Sequence, residues 1–222
     1  MNLETVYQEL RKITEGGDVD FIKLLALNEK LEKQVRKETC YKTTNKTRIN
    51  AITRVASKDE SRPVLTGYGV YGDYKVVTDS YHLIAIYQDE MPLPIVAGNM
   101  TREEVKEYQE KHGRNSVING TYPNMEHIIN FDKELWNKEV TPNYDDIESF
   151  YKLHKNLFEK TKKTEDLYQI GDKYYNIRFI KNVIDVLGTN CKAYYREDSY
   201  NTPLYFINDK NELGLVLPIR NF

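Results

Sequence analysis

The chain has 222 residues, 40% of them hydrophobic, which is enough for one large domain or two small ones with an ordinary core. Its 32 Lys and Arg residues nearly balance its 34 Asp and Glu residues, so any surface for nucleic acid has to be a local patch. No apolar run approaches the ~20 residues that a membrane-spanning helix needs, which excludes an ordinary membrane helix.

The two cysteines, Cys40 and Cys191, show neither a CxxC pattern nor the Cys/His spacing of a metal site. The opening residues Met-Asn-Leu-Glu-Thr do not have the pattern of a signal peptide. We therefore expect a protein of the reducing cytoplasm, without a bound metal.

Apolar residues recur at helical spacing in three segments of the first quarter of the chain. They predict helices at residues 2–14, 19–38 and 46–58, with Gly16 and Gly17 separating the first two. The boundary at about residue 40 predicts an N-terminal helical segment, 1–40, that precedes a larger domain, 41–222.

The period changes to that of β-strands after Arg62-Pro63. Residues 64–70 and 74–79 read as a hairpin around the turn Tyr71-Gly72-Asp73, and residues 81–87 read as a third strand. Both faces of this third strand are apolar, which predicts that it is covered on both sides. The polar corner Asp79-Ser80-Tyr81-His82 in front of it has no evident packing role.

The remainder predicts a solvated helix at 101–112 that ends at Gly113, and an amphipathic helix at 143–161. A second hairpin around Gly171-Asp172 is followed by a helix ending at Gly188 and by three strands. One helix followed by three strands thus occurs twice, at 47–87 and 177–220, as a repeat of element order rather than of residues.

Three separated pieces resemble one family, the bacterial DNA polymerase III β sliding clamp, in the order in which that family uses them. RPVLTG (62–67) with VVTDSYHL (76–83) resembles the clamp's "RPVL-x-G" and "ATDG-x-RL" strands. YPNMEHII (122–129) resembles its "FPDYxxVIP" linker, and the end of the chain resembles a last half-domain that closes on "VMPMRL". The matching C-terminal pieces are YNI (175–177), the helix 178–187, PLYFI (203–207) and LVLPIR (215–220).

The resemblance covers about 60% of the chain and implies an α+β fold with one DNA-clamp-like domain. In that domain, two repeats of a helix plus strands form antiparallel sheets, with N-terminal helices ahead of it and helical insertions near 99–118 and 132–168. Clamp subunits have three such domains, so this chain would encircle DNA only as several copies. Its compact form suggests a phage or mobile-element protein.

In the clamp family these pieces converge on an apolar cleft that binds short linear motifs of polymerases and repair factors. The resemblance implies that the cleft residues here are Tyr81, His82, Leu83, Pro123, His127, Ile128, Leu215, Leu217, Pro218, Ile219 and Arg220. Ser80 replaces the family's glycine and His82 its arginine, which bears on peptide specificity.

Clamps also line their DNA channel with cationic helices that contact phosphate without reading bases. The candidates for this contact are Arg48, Arg54, Lys58, Arg178 and Lys181. The expected role is a non-catalytic accessory protein of DNA replication or repair, without a cofactor, that binds partner peptides. Duplex DNA and further copies of the same chain are additional candidate partners.

Two other classes of function remain open. An enzyme would need clustered catalytic groups, but the candidates Asp145, Asp146 and Glu148 lie on a predicted helix, and no nucleotide-binding or hydrolase motif occurs. A phage-type interaction or inhibitor protein would use the N-terminal helices for binding and the clamp-like part as a scaffold.

Overall fold

The structure, a computed structural model, describes residues 45–98, 100–132, 134–158, 167–196 and 202–219, with side chains of the third range described as far as residue 153. Contacts between Cα atoms divide the chain after residue 42, and every described residue belongs to the unit Thr43–Phe222. The predicted helices at 2–14 and 19–38 lie outside the described residues.

The described α-helices are α1 (Asn45–Val55), α2 (Arg102–His112), α3 (Glu126–Ile129), α4 (Tyr144–Phe158) and α5 (Ile177–Leu187). Helices α1, α2, α4 and α5 confirm the helical periods read from the sequence, with ends that differ by a few residues. Helix α3 is a single turn inside the apolar stretch after Tyr122-Pro123.

Local sequence explains where α2 and α5 begin and end. In α2 the Thr101 hydroxyl accepts from the N–H of Glu104, and the Glu104 carboxylate accepts from the N–H of Thr101, which completes a capping box. In α5 the Asn176 side chain accepts from the N–H of Arg178. Helix α2 buries no residue, which confirms that it is solvated, whereas α5 buries six.

Seven strands form one antiparallel sheet in the order β1-β2-β3-β11-β10-β9-β6. In chain order the described strands are β1 (Gly69–Tyr71), β2 (Tyr74–Thr78), β3 (His82–Ile86), β4 (Ile95–Val96), β5 (Val117–Ile118), β6 (Lys138–Val140), β7 (Leu167–Ile170), β8 (Lys173–Asn176), β9 (Lys192–Tyr195), β10 (Leu204–Ile207) and β11 (Leu213–Val216). Strands β4 and β5 pair in parallel, and β7 and β8 form a separate antiparallel hairpin.

Six of the seven strands of the sheet come in two runs of three that lie side by side, and β6 adds to the edge at β9. Helix α1 precedes β1–β3, helix α5 precedes β9–β11, and the runs join where β3 pairs with β11. The architecture is therefore mixed α and β around a large antiparallel sheet, which is compatible with the predicted α+β class.

Each face of the sheet has its own apolar cluster. Helices α1, α4 and α5 cover one face, where Ile84, Ile86 and Phe206 are buried. The connection from Tyr122 to Trp136, called the linker below, covers the other face, where Leu83 and Leu215 are buried. All five residues of β3 are buried, which confirms the prediction of cover on both sides.

The first strand is shorter than its sequence predicts. Residues Pro63–Thr66 form a 3₁₀ turn rather than the beginning of an extended segment, and β1 starts only at Gly69. Proline fits the first position of a helical turn, and the Thr66 hydroxyl donates to the carbonyl of Pro63 at 2.7 Å, which closes the turn.

Candidate partner-binding surface

The ends of β3 and β11 carry two exposed apolar side chains on neighbouring chain segments. Leu217 donates its backbone N–H to the carbonyl of Tyr81 at 2.9 Å, one step beyond the paired residues His82 and Val216. Tyr81 is 59% exposed and Leu217 is 37% exposed. We call the surface that these two side chains share the Tyr81–Leu217 surface.

The polar corner before β3 holds the backbone at Tyr81 in a defined conformation. Asp79 Oδ1 accepts from the backbone N–H groups of Tyr81 at 2.8 Å and His82 at 2.9 Å. Ser80 has a φ of 83°, an uncommon value for a residue with a side chain, and its N–H donates to the Thr78 hydroxyl. The corner is therefore a tightly bonded turn that fixes the chain on either side of Tyr81.

His82 lies inside the protein and does not line the surface. Its ring is 1% exposed and stacks on Phe179 of α5 with 4.3 Å between ring centroids. Nδ1 lies 2.8 Å from Asp79 Oδ1, and Nε2 lies 3.3 Å from the Asn182 amide nitrogen. His82 thus ties the corner to α5, and Phe179 also stacks on Tyr81 at 6.1 Å between centroids.

Burial works against the negative charge of Asp79, but its hydrogen bonds outweigh that effect. The His82 side chain and the N–H groups of His82 and Tyr81 hold the pKa of the Asp79 carboxyl below its usual range. A carboxyl with a lowered folded-state pKa contributes stability above the unfolded-state pKa, and this contribution disappears as the pH falls through the folded-state value.

We therefore expect Asp79→Asn to lower the free energy of unfolding by about 1 kcal/mol at neutral pH, since a charged acceptor becomes a neutral one. The difference from the parent protein should begin to close as the pH falls below about 4, the unfolded-state pKa, and should vanish only once the pH has passed the lower folded-state pKa of Asp79. Urea unfolding of both proteins across this range measures the difference. A gap that stays constant to the lowest pH would show that the Asp79 charge has no stabilising role.

Leu83, Leu215 and Ile128 come together on the linker face of the sheet. Leu83 pairs with Leu215 across β3 and β11, and the half-buried Ile128 of the linker packs against their cluster. Leu83 and Leu215 are 3% and 7% exposed, so they belong to the core of this face and not to the exposed surface.

Tyr122 also belongs to this cluster, although it is not among the residues predicted for the site. Its hydroxyl accepts from the backbone N–H of Thr78 at 3.1 Å, and burial raises the pKa of the Tyr122 phenol. This bond fastens the linker to β2 beside the polar corner. An aromatic residue directly before Pro123 was the available signal.

The remaining cleft candidates are divided between two places. Pro123 and His127 are exposed on the linker. Pro218 and Ile219 are half-buried beside β8. Pro218 forms an isolated antiparallel β-bridge with Tyr175, and the Ile219 N–H donates to the carbonyl of Tyr174 at 2.8 Å. Arg220 lies outside the described residues.

Among the candidate DNA-contacting cations, Arg48, Arg54 and Lys181 form ion pairs within the domain. Arg48 Nη2 lies 2.6 Å from the buried carboxylate of Glu212, and Arg54 Nη2 lies 2.8 Å from Asp185. Lys181 contacts Asp185 and also lies 3.2 Å from Glu148. Lys58 and Arg178 are exposed. The charge that α1 and α5 present to a polyanion is correspondingly reduced.

Neither a protein-family profile nor a curated protein matches this chain. Across the part of the chain that the structure describes, no three His, Cys, Asp or Glu side chains are grouped so that they could hold a metal ion. Within the same ranges, none of the helices combines the length and the apolar character that crossing a membrane requires.

Proposed function

We propose that this protein is a non-catalytic, sliding-clamp-like accessory protein of DNA replication or repair that binds short linear segments of partner proteins. The proposal combines the resemblance of three chain segments to the β clamp with the position of two of them in the fold. The segment VVTDSYHL runs from β2 through the polar corner into β3, and LVLPIR begins in β11, the neighbour of β3 in the sheet. The N–H of Leu217 bonds to the carbonyl of Tyr81, so these two residues are neighbours.

The exposed pair Tyr81 and Leu217 is the observation that carries the proposal. Aromatic and aliphatic side chains on a rigid base are the groups that anchor peptide segments, because burying them removes apolar area from water with little loss of conformational freedom. The base is rigid here, since the Asp79 corner holds the backbone at Tyr81 and the N–H of Leu217 bonds to the carbonyl of Tyr81.

A binding titration with matched variants tests this function. The probe is a pool of fluorescein-labelled octapeptides with leucine and phenylalanine at fixed central positions and random residues elsewhere, and the readout is fluorescence anisotropy. We expect Tyr81→Ala and Leu217→Ala each to weaken binding about tenfold, the loss of about 1.4 kcal/mol typical of an anchor residue.

Leu153→Ala is the matched control, because Leu153 is 68% exposed on α4, away from β3 and β11. It should leave binding unchanged. Absence of binding by the parent protein, or equal losses in all three variants, would refute the proposed function.

The internal ion pairs of Arg48, Arg54 and Lys181 favour a second candidate, an interaction or inhibitor protein that uses the same surface without touching DNA. Duplex DNA separates the two. A clamp-like role that includes DNA predicts binding that weakens steeply with salt and weakens further in Lys58→Gln, whereas the interaction role predicts no binding at any salt concentration.

A further inference from the structure

A gap opens at the free edge of the large sheet, between β1 and β4. At the start of β1, Tyr68 donates its N–H to Pro94 O at 3.0 Å and accepts from Val96 N–H at 2.9 Å. The pairing stops there, because the N–H of Gly98 turns away and donates to Gly120 O at 2.9 Å. Beyond Tyr68 the two chain segments therefore diverge.

The divergence leaves the backbone of Val70 facing the gap. Along β1, the backbone N–H and carbonyl groups of successive residues point alternately toward β2 and away from it. The hydrogen bonds of Tyr68 to Pro94 and Val96 show that the backbone groups of Tyr68 point away from β2. Val70, two residues further, faces the same way. Outside the ladder of β1 with β2, no backbone hydrogen bond joins Val70 to another residue that the structure describes.

The gap contains a cavity of 320 Å³. This volume is at the lower end of the range for ligand sites and has room for about ten water molecules. Val70 and Val96 lie on either side of it, and Met100 and Tyr122 complete its apolar wall. Its lining follows β1 from Gly69 to Tyr71, and this edge together with the apolar wall suits an extended backbone with a side chain directed inward.

The charge at this cavity is negative. Glu104 lines it, and no Lys or Arg does so in the described chain. Hydrogen bonds from the backbone and side chain of Thr101 lower the pKa of the Glu104 carboxyl, so it is ionised near neutral pH. A cation is therefore the complementary group.

We propose that this gap is a second binding site, in which an extended peptide segment carrying a Lys or Arg adds as a strand along β1. Its backbone bonds to the N–H and carbonyl of Val70, and its cationic side chain reaches the carboxylate of Glu104. The site uses an unpaired edge and not the Tyr81–Leu217 surface, so it does not depend on the function proposed above.

Amide NMR of the full-length protein tests the site with three pools of acetylated and amidated pentapeptides. The first has lysine at the centre and random residues elsewhere, the second has glutamate at the centre, and the third repeats the first with an N-methylated central residue. We expect the lysine pool alone to shift the amide signal of Val70, because N-methylation removes the backbone donor and glutamate is repelled.

Glu104→Gln is the matched protein variant, since glutamine can still complete the capping box of α2. It should weaken binding of the lysine pool about twofold to fivefold, the usual contribution of an exposed ion pair. An unmoved Val70 signal, or an equal response to all three pools, would overturn the proposal. A Val70 shift that depends on protein concentration and not on peptide would assign the edge to a second copy and would also overturn it.

Discussion

Glu212→Ala is expected to lower the free energy of unfolding by about 3–5 kcal/mol, because it leaves the half-buried guanidinium of Arg48 without its counter-charge and removes the buried acceptor of Asn208 and Tyr87. Glu212 is 1% exposed at the start of β11. Its carboxylate accepts two bonds from Arg48, at 2.6 and 3.1 Å, and one each from the Asn208 amide and the N–H of Tyr87. These contacts join α1, β3 and the last hairpin at one point.

Urea unfolding measures this loss, with Glu110→Ala as the control. Glu110 is 70% exposed and lies 3.9 Å from Lys106, an arrangement worth about 0–1 kcal/mol. Removing both charges in Arg48→Ala with Glu212→Ala should cost clearly less than the sum of the single losses. Additive losses would show that the pair does not act as a unit.

Gly214→Ala is expected to destabilise the protein by about 1–3 kcal/mol through overpacking. Gly214 lies on the helix face of β11, and a Cβ atom there would stand 2.2 Å from Val183 Cγ1 and 3.0 Å from Leu187 Cδ1 of α5. Helix α5 can therefore lie close to the sheet only because this position has no side chain.

A second substitution that removes the clashing methyl group tests this packing. In a Val183→Ala background the same glycine substitution should cost much less, because the methyl group that it meets is gone. Thermal unfolding of the two single variants and the double variant measures the coupling. A cost for Gly214→Ala that is the same in both backgrounds would contradict the close approach of α5.

The order of helices and strands was predictable from the sequence because it depends on local signals. Helical spacing predicted α1, α4 and α5, and the dipeptides Gly72-Asp73 and Gly171-Asp172 predicted both hairpin turns. The neighbours in the sheet were not predictable, because β3 pairs with β11 across about 130 residues of chain, and no local pattern encodes that choice. The three-residue edge strand β6 carries too few residues to show a period.

The candidate site was predictable in part for the same reason. The polar corner before β3 was recognised from the sequence, and His82 was assigned to the cleft with it. Strand alternation, however, places His82 with Ile84 and Ile86 on the helix face of the sheet, opposite Leu83. That alternation was the signal that His82 lies inside. The ion pair of Arg48 could not be foreseen, because its carboxylate is 164 residues away in the chain.

The most direct test of the central claim is methyl NMR of the leucine-labelled protein, titrated with the pool of octapeptides that carry leucine and phenylalanine. It locates the bound peptide without altering the protein. The account predicts that the Leu217 methyl signals shift, that those of Leu83 and Leu215 respond more weakly, and that those of Leu153 stay in place. Shifts at Leu153 without shifts at Leu217, or no shifts at all, would contradict the claim that the ends of β3 and β11 bind partner peptides.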